Sequence, residues 1–446
     1  MQTTIVRIFA AVFAAATLAL AAAPAQSADA TVDDTARFLA GLPPSSGSPL
    51  TALANDPVWQ QHAHYFDSIF AREDSTTLSK VRAFSREQLT DKHDTMLYMF
   101  SGPDFLYATS FFPGASTYVL AGLEPAGDVP PLLSLSRPAV DGSLRNLETS
   151  MGSLLSYSFF ITKNMKTQLH EGSINGTLPV LLVFMARTGK TIQDVSFVSL
   201  DEHGNVQTDE PLATSVSTKR AFRTSHSAAA GVKIVFTDGS GPQQTLYYFS
   251  TNLADGSFER SGFRAFLDKL GPADSFIKSA SYLLHAGGFN QVRSFLLDHS
   301  ATVLQDDSGI PVRYFDPRKW RLQAFGHYVG PLALFGRSYQ PELAEVFQHA
   351  QPLDFGIGYR FRRNESNLLL AQKSAPRTSD QELTPGLPAG QYPDGATATP
   401  KKKPRKTASS SQSPKKEADG SATGSLGCRV AGIFPFCSDQ PPKSSR

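Results

Sequence analysis

The stretch from Met96 to Glu124 constrains the fold more than any other part of the chain. An apolar run that ends at Phe100 leads into Ser-Gly-Pro-Asp, a short helical pattern follows, and a second apolar run covers residues 118–120. This order predicts a strand, a tight turn, a helix and a second strand. In open α/β sheets, ligands bind outside the carboxyl ends of the strands. We therefore expect ligand contacts from the polar residues that follow these two strands, which are Ser101, Asp104 and Glu124.

Two of these residues have a structural interpretation beside the functional one. Pro103-Asp104 begins the helical pattern, and an Asp at the N-cap of a helix accepts hydrogen bonds from backbone N–H groups. Asp104 is therefore either a ligand contact or a helix cap. Glu124 stands between an apolar strand and Pro125, a place that predicts a side chain at the rim of the sheet.

The remaining body alternates between helical and strand-like patterns. Helices are predicted for residues 33–42, 56–89 (interrupted at 75–77), 144–169, 262–270, 274–285, 289–299 and 341–348. Strands are predicted for residues 178–185, 194–200, 232–237, 245–250 and 312–315, with a closing hairpin of 355–360 and 367–371. Turn residues 238–242 separate two of these strands as in a β-hairpin. The fold class is thus α/β to α+β, a mixed sheet with flanking helices and with an antiparallel meander in the middle, from about residue 178 onward.

The amino-terminal residues predict export. Arg7 provides a basic n-region, residues 8–23 are apolar and Ala-rich, and small residues follow at 25–30. This is the pattern of a cleaved secretory signal peptide, assigned to residues 1–30, and the alternative is an amino-terminal membrane anchor. We expect a periplasmic or extracellular protein with no transmembrane helix after signal removal, and a single large body over residues 31–372 with a sub-boundary near 175.

The carboxyl-terminal residues 373–446 predict a disordered extension. They are rich in Pro, Lys and Ser and contain a basic run at residues 401–406. Such a composition cannot bury enough apolar surface to fold. In an exported protein this run is expected to contact anionic envelope polymers rather than nucleic acid, and the alternative is a solvated linker that binds nothing.

Both cysteines of the chain, Cys428 and Cys437, lie in this tail around a short apolar segment. An oxidising compartment allows them to pair as a disulfide that closes a short Cys-Cys loop. The body has no Cys, which excludes a thiol nucleophile or a Cys-ligated zinc site there.

Asp306-Asp307 is the acidic cluster best suited to catalysis or metal binding. Enclosed adjacent carboxylates repel each other, so one tends to stay protonated or to pair with a cation. Such a pair can act as acid and base or hold a divalent metal through oxygen, with His285 or His327 as assisting groups. The alternative is a turn in which the Asp side chains bond their own backbone.

Several common catalytic motifs are absent. Gly189-Lys190-Thr191 resembles the end of a phosphate-binding loop, but the required first Gly is Phe184. The sequence has neither G-x-S-x-G nor H-E-x-x-H. These absences indicate no cofactor, and only a divalent metal at the acidic pair is left open. The sequence does not decide whether the protein is an enzyme.

Three short stretches resemble those of an uncharacterised family of secreted bacterial proteins. They are F-S-G-P-D-F with the later G-L-E-P, Q-D-D-S-G-I-P at residues 305–311, and F-G-x-Y at 325–328. The resemblance covers residues 59–371, implies export and transfers no catalytic role. The function expected is a periplasmic ligand-binding or envelope-associated protein that takes a small molecule or glycan. The alternative is a carboxylate-dependent hydrolase that uses the Asp306-Asp307 turn.

Overall fold

The computed structural model describes residues 29–157, 174–208 and 228–374. The predicted signal peptide falls outside this part of the chain except for its last two residues. The basic tail with Cys428 and Cys437 likewise lies outside it, except for residues 373 and 374.

Ten strands form one mixed sheet. They are β1 (Thr95–Tyr98), β2 (Thr117–Gly122), β3 (Lys190–Leu200), β4 (Val206–Thr208), β5 (Ala230–Asp238), β6 (Gln243–Ser250), β7 (Ala273–Ile277), β8 (Ser300–Gln305), β9 (Trp320–Gly326) and β10 (Asn367–Lys373). Their order across the sheet is β4-β3-β5-β6-β2-β1-β7-β8-β10-β9.

The centre of the sheet is parallel and its two ends are antiparallel. Strands β6, β2, β1, β7 and β8 run parallel to one another. Strands β4, β3, β5 and β6 form the antiparallel meander at one end, and β10 pairs antiparallel with both β8 and β9 at the other. This arrangement confirms the predicted mixed sheet with a meander.

Helices cover both faces of the sheet. They are α1 (Val32–Leu39), α2 (Thr51–Ala54), α3 (Pro57–Glu73), α4 (Ser79–Gln88), α5 (Phe105–Phe111), α6 (Arg137–Tyr157), α7 (Leu178–Arg187), α8 (Asp255–Arg260), α9 (Phe263–Lys269), α10 (Asn290–His299) and α11 (Pro341–Val346). The core on one face contains residues of α1 to α7, and the core on the other contains residues of α8 to α10.

Strand β1 shows why the central strands lack a polar face. Met96 and Tyr98 point into the first core, whereas Leu97 and Met99 point into the second, as the two-residue period of a strand requires. All four side chains are buried. Strands covered on both faces read as continuous apolar runs, which is how this one appears in the sequence.

Four predicted elements were wrong. Residues 178–185 form the buried helix α7, with Pro179 in its first turn, because a short apolar run fits a buried helix as well as a buried strand. Residues 274–285, predicted as a helix, begin with the central strand β7. Residues 312–315 contain the 3-10 turn Val312–Tyr314. The closing hairpin is absent, since β10 pairs with β8 and β9.

Candidate functional site

The carboxyl ends of β1 and β7 mark a topological switch point in the sheet. From β1 the chain continues to β2 on one side, whereas β7, on the other side of β1, continues to β8. The connections after these strands therefore lead away from each other on the two sides of the β1–β7 pair. Ligands of open α/β sheets bind at such a point.

Backbone strain is concentrated at the same place. Among the described residues, four non-glycine residues have positive φ angles: Phe100 (63°), Ser279 (53°), Ser281 (52°) and Tyr282 (55°). Phe100 follows β1 and the other three follow β7. Positive φ is disfavoured for residues with a Cβ, and such residues cluster at functional sites. Both connections at the switch point therefore have strained conformations.

A buried ion pair joins the same two connections. Asp104, after β1, and Lys278, directly after β7, are 2.7 Å apart between Oδ2 and Nζ, and their side chains are 2% and 3% exposed. The Tyr98 hydroxyl donates to the same Oδ2 at 2.7 Å. Oδ1 accepts the Tyr107 N–H at 3.3 Å, which confirms Asp104 as the cap of α5.

Lys278 also contacts an aromatic ring that is hydrogen-bonded to a second acid, Glu73. Its Nζ lies 3.8 Å from the centroid of Tyr107, a cation–π contact. The Tyr107 hydroxyl donates to Glu73 at 2.9 Å, and burial raises the pKa of Glu73. Burial, together with the charge of Asp104, raises the pKa of Tyr98. Tyr98 therefore remains a neutral hydrogen-bond donor beside the charged pair.

Asp306 follows β8 and holds two connections together. Its Oδ2 accepts the Ser279 N–H at 2.8 Å, and its Oδ1 accepts the N–H and hydroxyl of Ser308 at 3.0 and 2.5 Å. Burial and the neighbouring charge of Asp307 raise the pKa of Asp306 to about 6. The self-bonded turn expected as the alternative is therefore present, and its carboxyl has a raised pKa.

Asp307 is a fully paired carboxylate. Arg360 donates to it with two N–H groups, at 3.0 and 2.8 Å, and both side chains are 3% exposed or less. The Tyr282 hydroxyl donates to Oδ2 at 2.7 Å. Arg360 also donates to the carbonyl of Gly330. Asp307 therefore ties the strained β7 connection to the segments around residues 330 and 360.

Gly358 lies against both Lys278 and Asp306, and so links the Asp104–Lys278 pair to the acidic turn. A Cβ added to Gly358 would lie 2.7 Å from Cγ of Lys278 and 3.1 Å from Oδ2 of Asp306, and it would also meet Oγ of Ser279. The glycine has a φ of +58°, which a side chain would strain. Lys278 and Asp306 thus border the same backbone segment.

His285 lies beside this site, at the end of the β7 connection. Its ring is 5.2 Å from that of Tyr282, and it forms a hydrogen bond with the backbone of Gly309. Burial, and then the charge of Arg313, lower the pKa of His285 to about 4. The imidazole is therefore neutral at pH 7.

His327 has a different environment. It is exposed, and its backbone N–H donates to the Ser366 carbonyl at 2.7 Å. Among the described residues no contact joins its ring to the acidic pair. Its assisting role stays a prediction.

Ser101 and Glu124 lie toward β2, on the other side of β1. Ser101 Oγ donates to the carbonyl of Gly102 at 2.8 Å, and Glu124 Oε2 accepts the Leu123 N–H at 3.2 Å. The Tyr248 hydroxyl donates to the Glu124 carbonyl at 2.7 Å. These polar groups stabilise the turns after β1 and β2, and their ligand contacts stay predictions.

Lys278 and Arg360 were not singled out from the sequence. Lys278 lies within residues 274–285, which were assigned to a helix, and a strand assignment for residues 273–277 would have placed it at a carboxyl end. Arg360 stands 53 residues from its partner, and no local pattern indicates that contact.

The described residues also lack two other features. No helix within residues 29–157, 174–208 and 228–374 has both the length and the hydropathy to cross a bilayer. The same residues contain no group of three His, Cys, Asp or Glu side chains arranged to hold a metal ion.

Comparisons with protein-family models, curated proteins and solved structures found no match to this chain.

Asp306 and His285 are expected to give opposite pH dependences. The raised pKa of Asp306 means that its contribution to stability falls as pH rises from about 4 to 6. The lowered pKa of His285 means that its contribution is lost as pH falls from about 6.5 to 4. Relative to wild type, Asp306→Asn should become more stable with rising pH in this window, and His285→Asn less stable, by about 2 kcal/mol each.

Urea unfolding of the full chain at several pH values measures both effects. Titrating groups that do not interact with the replaced side chain cancel in each variant-minus-wild-type difference, so the two difference curves should have opposite slopes. A flat difference curve for either variant would show that its carboxyl or imidazole titrates with an ordinary pKa.

Proposed function

We propose that this is an exported ligand-binding protein of the bacterial envelope, and that a small molecule or glycan binds between β1 and β7. The observation that supports the proposal is a coincidence of three features. The topological switch point, the four strained residues and the buried Asp104–Lys278 pair all lie at the same carboxyl edge. Strain of this kind persists only where surrounding contacts hold it, and the two ion pairs supply those contacts.

Exposed apolar side chains supply the contact surface in this proposal. Tyr314 lies on the connection after β8, and Val329, Leu334 and Tyr339 lie on the connection after β9, which ends at the same edge. Their exposure ranges from 37% for Tyr314 to 55% for Val329. Tyr rings combine an apolar face with a polar tip, a combination suited to a sugar ring.

The export component of the proposal comes from the predicted signal peptide at residues 1–30. The basic run at residues 401–406 is the segment proposed to contact anionic envelope polymers. In this arrangement the body binds the ligand while the tail keeps the protein near the envelope.

A ligand screen tests the binding function. We expect the full chain to be stabilised by a member of a panel of envelope saccharides, amino acids and lipids, in a thermal-shift assay confirmed by calorimetry. A ligand at a hundred times its Kd adds about 2.7 kcal/mol of stability. Tyr339→Ser should weaken binding at least tenfold.

Leu133→Ser is the matched control, because Leu133 is also an exposed apolar residue, 44% exposed, on the connection after β2. It should bind like wild type. Equal binding by all three proteins, or loss only in the Leu133 variant, would place the ligand elsewhere.

A carboxylate-dependent hydrolase is the second candidate. The pKa of about 6 for Asp306 favours it, because a general acid works best with a pKa near the operating pH. Asp307 fits the catalytic role less well, since Arg360 holds it as a paired carboxylate. If turnover of a bound glycan is found, Asp306→Asn should abolish it without abolishing binding.

A further inference from the structure

A basic group of side chains lies next to the proposed ligand site. Arg293 stands in the first turns of α10, and Arg313 follows β8. Their guanidinium carbons lie 4.0 and 4.9 Å from the centroid of the same ring, that of Tyr314. After burial, the charges of Arg313 and Arg293 lower the pKa of His285, so all three groups face one region. We call Arg293, Arg313 and His285 the basic corner.

The arginines of the basic corner lack a carboxylate partner. Among the described residues, none of the ion pairs within 4 Å includes Arg293 or Arg313. Arg293 is only 6% exposed and donates to the Leu284 carbonyl at 2.7 Å and to Asn290. Burial of a guanidinium without a counter-charge is unfavourable, and carbonyls with an aromatic ring offset only part of that cost.

The nearby carboxylates are engaged elsewhere. Asp307 is bound by two N–H groups of Arg360. Asp255 accepts the Gln291 N–H at 2.8 Å, at the start of α10. Neither acid therefore forms an ion pair with Arg293 or Arg313, although the charge of Asp307 opposes the lowering of the pKa of the adjacent His285 by burial.

His285 borders the two arginines as a neutral side chain. It bonds the backbone of Gly309, and burial lowers its pKa. The positive charge of the basic corner therefore comes from Arg293 and Arg313.

We propose that the basic corner binds an oxyanion group, phosphate or carboxylate, carried by the ligand. The inference rests on the proposed binding function and specifies the class of ligand as anionic. The anion provides the counter-charge for Arg293 and Arg313, whose planar N–H groups match the two oxygens of such a group. Tyr314, held between the arginines, presents its ring beside the bound anion.

Calorimetric titration of the full chain tests the proposal. The probes are D-glucose 6-phosphate, D-glucuronate, inorganic phosphate and neutral D-glucose. We expect a charged sugar to bind at least tenfold more tightly than glucose, and Arg313→Gln to remove that preference. Tighter binding of glucose 6-phosphate or inorganic phosphate identifies the oxyanion as a phosphate, and tighter binding of glucuronate identifies it as a carboxylate.

Arg318→Gln is the matched control. Arg318 is exposed on the same connection and carries the same charge, but Asp316 pairs with it at 2.9 Å. This variant should keep the affinity of wild type within about twofold for each probe.

Two results would overturn the proposal. One is an equal loss of affinity in the Arg313 and Arg318 variants, which indicates general charge attraction. The other is the absence of any preference for the charged sugars in wild type. If neutral saccharides bind and Tyr339→Ser alone weakens them, the binding function stands and the basic corner fails. If neither charged nor neutral probes nor the wider ligand panel bind, both fail.

Discussion

Replacement of Arg360 by Met is expected to lower the free energy of unfolding by about 3–5 kcal/mol. The substitution leaves Asp307 buried, without its two charge-assisted hydrogen bonds and with only the Tyr282 hydroxyl opposite Oδ2. It also removes the donor to the Gly330 carbonyl. Urea unfolding of the full chain, followed by circular dichroism, measures the loss.

An exposed pair provides the control. Arg137 and Asp56 also form an Arg–Asp ion pair, but their side chains are 43% and 21% exposed. Arg137→Met should cost about 1 kcal/mol or less, because water screens such pairs. Asp307→Asn combined with Arg360→Met should recover part of the loss, since no uncompensated charge is then buried. A cost for Arg360→Met as small as that of the control would mean that the pair does not hold the two segments.

The elements that the sequence predicted best are those set by local pattern. The first unit, β1, α5 and β2, follows from its apolar runs and from Asp104 as a helix cap. The hairpin of β5 and β6 follows from the turn residues 238–242. In both cases the information lies within about thirty residues.

The wrong secondary-structure assignments are those of elements whose conformation is set by burial and long-range pairing. All of α7 from Leu178 to Ala186 is buried, so it has no polar face from which to read a helical period. Strand β7 has five residues, and Pro272 before it and Lys278 after it interrupt the apolar pattern. Its central place in the sheet comes from pairing with β1 and β8, which are distant in sequence.

At the candidate site too, residues marked by a local pattern were predicted, and residues that act through distant contacts were not. Asp104 was singled out because it follows an apolar strand, and Asp306 because it belongs to an adjacent acidic pair, and both features are visible in the sequence. Lys278 and Arg360, which neutralise Asp104 and Asp307, were not, because each pair joins residues that are far apart along the chain. The sequence therefore predicted the acids of the site and missed their cations.

A second large effect is expected at the switch point. Lys278→Met should cost about 3–5 kcal/mol, because it leaves Asp104, 2% exposed, without its counter-charge. Asp104→Asn should also destabilise, since Lys278 then loses its carboxylate. In the double variant neither charge remains, so we expect the two costs to be non-additive by about 2–3 kcal/mol.

The matched control is the other described Lys–Asp pair with a buried lysine. Lys190 and Asp238 are 2.5 Å apart, but Asp238 is 55% exposed, so their coupling should stay at about 1 kcal/mol or less. The comparison also separates two roles of Asp104. If its coupling to Lys278 is no larger than that of the control pair, Asp104 acts mainly as the cap of α5. A larger coupling identifies the ion pair as the contact that holds the strained connections of β1 and β7 together.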